Sequence, residues 1–171
     1  MIGILVHALP AQQTWRVQCG GGPGVDFTDL PPAVAAAAPG DTILVLRSGV
    51  TGPCNPGYTG PLIDKPLRII GFDLAFQPGN PSPSGAPLVG LVRIQNIAAN
   101  EQVVLSHLSI GAVLGAGYTS AGFEVSDCAG SVVFEDVSFV TLGEAGYQVR
   151  FTRCNDVVLH GGMYRNSGAP M

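Results

Sequence analysis

The sequence predicts an all-β fold, a right-handed parallel β-helix of about five coils with a short capping helix at its N-terminal end. Three observations lead there. A phrase recurs: Val103-Val104-Leu105, Val132-Val133-Phe134 and Val157-Val158-Leu159 begin 29 and then 25 residues apart. A unit of that length cannot bury its own apolar face without stacking on a neighbour. Apolar-x-apolar triplets recur over a longer stretch, at Ile43-Leu44-Val45, Leu67-Arg68-Ile69, Val92-Arg93-Ile94, Phe123-Glu124-Val125 and Val149-Arg150-Phe151, with starts 24, 25, 31 and 26 residues apart. Their period of two is that of strands with one buried face. Between them lie turn clusters such as Gln77-Pro78-Gly79-Asn80-Pro81-Ser82, and no stretch after residue 40 keeps an apolar 3.6 period for the length of a helix.

Composition bounds the rest. For 171 residues one domain is expected, and with 46% apolar and only 12% charged residues the chain can fill a core. The net charge of −4 comes without a basic stripe, which disfavours a nucleic-acid partner.

From the N-terminus, residues 1–11 read as the tail of a truncated secretory signal: an apolar run from Ile2 to Val6, then Ala8-x-x-Ala11 before the polar Gln12-Gln13. No segment reaches transmembrane length, and the expected location is secreted or cell envelope. Residues 12–171 form the β-helix domain. Residues 26–39 are expected to be its lid: Thr28 or Asp29 caps a short Ala-rich helix, Pro31 and Pro32 are admissible in its first turn, and Pro39-Gly40 ends it. Of the four cysteines, Cys19 and Cys54 are the pair expected to form a disulfide, because both flank turn-rich segments near the front. Cys128 and Cys154 each follow a triplet by three residues and read as small buried thiols stacked in adjacent coils, their Cβ vectors parallel rather than converging.

The stretch Phe27-Thr28-Asp29-Leu30 through Ala38-Pro39-Gly40-Asp41-Thr42-Ile43-Leu44-Val45, followed by Asp64-Lys65-Pro66-Leu67-Arg68-Ile69-Ile70-Gly71, resembles the opening of right-handed parallel β-helix proteins of the pectin-lyase-like superfamily. There a capping helix leads into a "PGDTI.V" strand and a "KPL.I.G" segment opens the next coil. The resemblance spans about residues 14–165. It implies the fold, and it leaves open lyases, hydrolases, epimerases, adhesins and proteins with no reaction.

For a polysaccharide lyase the resemblance implies clustered carboxylates for calcium beside an Arg or Lys base, and for a hydrolase paired carboxylates. The candidates are Glu124, Asp127, Glu135, Asp136, Arg150, Arg153 and His160. Coil register sets Glu124 beside Arg150, Asp127 beside Arg153, His107 beside Asp136 and Glu135 beside His160. Such complementary neighbours are what a solvated ladder adopts to avoid stacking like charges, each exposed pair contributing about 0–1 kcal/mol. His160-Gly161-Gly162 is similar to the Gly-His-Gly of polygalacturonases, although Leu159 stands where the first Gly belongs and the paired-Asp motifs are missing. Tyr58 and Tyr118 lie in Gly-rich segments and are candidate sugar-stacking platforms, while Tyr164 falls in the core column of Ile110 and Phe139. Gly20-Gly21-Gly22-Pro23-Gly24 lacks the Lys and Ser/Thr of a phosphate loop.

Two functions are therefore expected in order. The first is a structural, surface-presenting or glycan-binding β-helix. The second is a carbohydrate-active enzyme, a polysaccharide lyase or glycoside hydrolase, with its site on the loops at 72–90 and 111–121. No metal or cofactor is expected, with calcium only under the lyase alternative. The polar tail after Tyr164 is too short for a lid, so one of two outcomes is expected: the natural protein continues with more coils, or the uncapped C-terminal coil self-associates.

Overall fold

The computed structural model describes residues 11–46, 57–72, 86–89, 91–112, 122–141, 148–162 and 164–166. They form a parallel β-solenoid of about four turns with one short helix. All of the expected signal segment except Ala11, together with Cys54 and Tyr118, lies outside the described residues.

Each coil passes over three faces in turn. The first face stacks β1 (Thr14–Val17), β2 (Thr42–Leu46), β5 (Arg68–Phe72), β8 (Gln102–Ser106) and the C-terminal halves of β10 (Gly122–Glu135) and β12 (Gln148–His160). The second stacks β3 (Tyr58–Thr59), β6 (Ala86–Val89), β9 (Leu108–Ala112), β11 (Ser138–Thr141) and β13 (Tyr164–Asn166). The third stacks β4 (Leu62–Ile63), β7 (Val92–Gln95) and the N-terminal halves of β10 and β12. All these pairings are parallel. β10 and β12 run through the corner from the third face to the first, with a register shift between Cys128 and Ser131.

The triplets divide between two faces. The five triplets do not form one column: Ile69 pairs with Leu105 on the first face, whereas Ile94 pairs with Ile63 and Val125 on the third. Within the first face, Ile43 registers with Ile69 rather than with Leu67. That slip of two residues keeps the same side chains inward, because the strand period is two. An apolar-x-apolar triplet marks any inward-facing strand, and a three-faced coil holds several, so the triplets alone do not say which face each one occupies.

Inward side chains from all three faces meet along the solenoid. Phe123 of the third face contacts Phe134 of the first at 5.2 Å between ring centroids and Phe139 of the second at 5.6 Å, both edge-on. Ile43, Ile69, Leu105 and Phe134 form a fully buried column, and Ile110, Phe139 and Tyr164 are register neighbours as the sequence implies.

The lid is β1 with helix α1 (Leu30–Ala36). Asp29 is its N-cap, its Oδ1 accepting from Leu30 N at 2.8 Å and from Thr59 N at 2.9 Å. Leu30, Ala33 and Val34 are buried toward the first coil. At the other end of α1, Lys65 Nζ donates to the carbonyls of Val34 and Ala37 at 3.1 and 3.0 Å, satisfying acceptors that a helix end leaves open. Asp41, buried in the Pro39-Gly40-Asp41 turn, holds the pieces together. Its carboxylate accepts from Gln13 N, Trp15 Nε1 and Ala38 N, each at 2.9 Å. Burial pushes this carboxyl up, but those three donors and the charge of Lys65 outweigh it and hold the group below the ordinary carboxylate range.

Candidate functional site

The charged candidates fall on one outward row and two corners of the solenoid. On the third face, alternation turns Val92 and Ile94 inward, so Arg93 points out, and Glu124 and Arg150 follow it in register. Arg93 Nε donates to Glu124 Oε2 at 3.3 Å. The row alternates in sign, as the sequence implied for Glu124 and Arg150.

Two residues beyond each inward triplet the chain must turn onto the next face, and there the backbone takes left-handed dihedrals. At the corner from the third face to the first stand Asn96, Asp127 and Arg153, with φ of 60, 55 and 52°. At the corner from the first face to the second stand His107, Asp136 and Gly161, with φ of 54, 51 and 67°. Asn and Asp tolerate this region better than other side chains, and glycine best. Gly161 has a second reason to be glycine, since a Cβ there would lie 2.1 Å from Asp136 Oδ1.

The corner residues interact up their stacks. Arg153 grips Asp127 with two nitrogens, Nη2 donating to Oδ2 at 2.7 Å and Nε to Oδ1. His107 Nε2 lies 3.8 Å from Asp136 Oδ2, and Glu135 registers directly with His160. All four neighbour relations expected from the sequence are present. The left-handed corners were not anticipated; the signal was a polar residue or glycine two positions after some of the inward strands, as in Ile94-Gln95-Asn96, Val125-Ser126-Asp127 and Phe134-Glu135-Asp136.

This arrangement disposes charge in complementary pairs rather than gathering it. The Arg153 hydrogen bond, helped by its charge and opposed by slight burial, holds the Asp127 carboxyl below its ordinary value, and the same pairing pushes Arg153 up. Both groups are thus kept charged and engaged, the opposite of what a proton-abstracting Arg or a protonated carboxylic acid requires. Among the described residues no group of three or more His, Cys, Asp or Glu side chains is placed to hold a metal ion.

Tyr58 is a correction. It lies in strand β3, fully buried, with its hydroxyl donating to Leu46 O and accepting from Cys19 N at 3.1 Å. The adjoining Gly57 and Gly60 do not expose it. A Cβ on Gly60 would lie 2.6 Å from Leu91 O, so glycine here allows the close approach of the neighbouring backbone. Tyr58 therefore offers no face to a sugar. Tyr118 and most of the loops at 72–90 and 111–121 lie outside the described residues.

Cys19 is disulfide-bonded, and its expected partner Cys54 lies outside the described residues. Cys128 and Cys154 are free and register with each other across β10 and β12. Their thiols donate to carbonyls of their own corner, Cys128 to Ser126 O at 3.3 Å and Cys154 to Val125 O and Thr152 O at 3.4 Å. Burial pushes the Cys128 thiol up, which makes it a poor nucleophile. No helix among the described residues is long and apolar enough to cross a membrane. Comparison with protein-family models, with curated proteins and with solved structures finds no match to this chain.

Proposed function

We propose that this chain is a secreted or cell-envelope β-solenoid that presents a rigid polar surface to glycans, in keeping with the pectin-lyase-like resemblance of its opening segment. The observation that carries the reading is the Arg93, Glu124, Arg150 row, which lines up outward groups at the spacing of adjacent strands, about 4.8 Å. Gln95, Ser126 and Thr152 register beside it, so the third face offers a flat array of donors and acceptors suited to sugar hydroxyls and carboxylates. The disulfide at Cys19 supports an oxidising compartment.

The test is affinity electrophoresis of the whole chain through gels containing neutral or uronate polysaccharides, with and without calcium. Retardation that weakens in Arg93→Ala and Arg150→Ala, with no new reducing ends and no unsaturated product absorbing in the ultraviolet, is the expected result. Release of unsaturated or reducing products would establish the enzymatic alternative, and unretarded migration in every gel would remove the glycan partner.

A further inference from the structure

Cys128 and Cys154 occupy the same place on successive coils, in register across β10 and β12, and both are free thiols. Their side chains also take the same orientation. Each thiol donates to the carbonyl two residues before it, Cys128 to Ser126 O at 3.3 Å and Cys154 to Thr152 O at 3.4 Å, and Ser126 and Thr152 are themselves in register. Side chains that repeat in this way are displaced by one strand spacing, so the two sulfurs stand about 4.8 Å apart. Cys154 Sγ reaches back to Val125 O of the preceding coil at 3.4 Å, which keeps the gap from widening.

That separation is far too long for a disulfide, whose sulfurs lie about 2.05 Å apart. It matches two metal–thiolate bonds of about 2.3 Å laid end to end. We propose that Cys128 and Cys154 form a two-coordinate site for a soft monovalent cation, Cu(I), held between the two sulfurs in a near-linear bridge that ties one coil to the next. Thiolate ligands favour Cu(I) over the harder cations. The number of donors favours it too. Among the described residues no third His, Cys, Asp or Glu side chain completes a larger ligand set, and Asp127, next to Cys128 in sequence, is held by Arg153. Zn(II), which takes four ligands in a structural site, is left half coordinated. Binding is an exchange without electron transfer: two S–H bonds break, two S–Cu bonds form, and both protons leave to solvent. The bridge carries one negative charge, which the backbone N–H of Ile97 beside Cys128 stabilises. Burial of Cys128 keeps water from the metal.

The test uses the whole chain with its Cys19 disulfide intact. Cu(I) is titrated without oxygen from its coloured bicinchoninate complex, and the loss of colour counts the metal taken up. Uptake of one Cu(I) per chain is expected, with a higher melting temperature and an X-ray absorption spectrum showing two sulfur neighbours and no nitrogen or oxygen at bonding distance. Cys128→Ser and Cys154→Ser, each with the circular dichroism of the parent, are expected to leave the colour unchanged. Zn(II) is expected not to move the melting temperature. Should a Ser variant fail to fold, the spectrum of the parent protein decides alone. Failure to withdraw Cu(I) from bicinchoninate, uptake beyond one metal per chain, three or more ligands in the spectrum, a melting temperature raised equally by Zn(II), or uptake that survives either substitution would each overturn the proposal.

Discussion

Arg153 and Asp127 stand at the same corner of successive coils, 26 residues apart in sequence and joined by a bidentate ion pair. Both backbones are left-handed there. For Asp this conformation is tolerable, but for Arg it is strained, so the ion pair and the backbone work against each other at position 153.

Arg153→Gly is therefore expected to melt at or above the temperature of the parent protein despite losing the ion pair, because exposed pairs are weak and glycine suits the left-handed corner. Arg153→Val, which loses the same pair and adds a β-branched side chain, is expected to melt lower. Differential scanning calorimetry checks the order, and a Gly variant melting below the Val variant would contradict the strain argument.

Phe134 and Leu159 are register neighbours on the first face, yet one is 1% and the other 55% exposed. Phe134→Ala is expected to cost about 3–5 kcal/mol in urea unfolding, the usual range for a buried Phe. Leu159→Ala should cost less than about 1 kcal/mol. Equal losses would show that Leu159 is as buried in solution as Phe134.

Asp41 carries the pH dependence of the lid. Its carboxyl is held below the ordinary range in the folded state, so its stabilisation is complete above the unfolded value, about 3.9. It is lost as pH falls through the depressed folded value. Asp41→Asn should flatten the acid limb of a plot of stability against pH. Asp41→Ala, which strands the N–H groups of Gln13, Trp15 and Ala38, should cost at least about 3 kcal/mol at neutral pH. An unchanged acid limb in Asp41→Asn would show that other carboxylates set it.

Tyr58→Phe removes the hydroxyl that joins Leu46 O to Cys19 N inside the first coil. The expected cost is about 1–3 kcal/mol from the buried partners left behind, with migration in polysaccharide gels unchanged. Weaker retardation by glycans at full stability would return Tyr58 to the surface.

The solenoid, its lid and its charge ladders were legible because each is written in local order. A period of two specifies a strand with one buried face. Recurrence at 24 to 31 residues specifies a coil, and Asp29 ahead of a Pro-rich, Ala-rich run specifies a capped helix. Offsets of 26 between Glu124 and Arg150 and between Asp127 and Arg153 then follow from the coil length alone. What the triplets could not carry was which face they occupy: Leu67-Arg68-Ile69 and Val92-Arg93-Ile94 share the same pattern, and only the three-way closure of the coil assigns one to the first face and the other to the third. Burial of Tyr58 was likewise decided in three dimensions, where its hydroxyl meets Leu46 O and Cys19 N. The left-handed corners at His107 and Arg153 were decided by the same closure, because a strand forced to bend between packed faces takes the dihedrals the bend requires, even where its own side chain would prefer others.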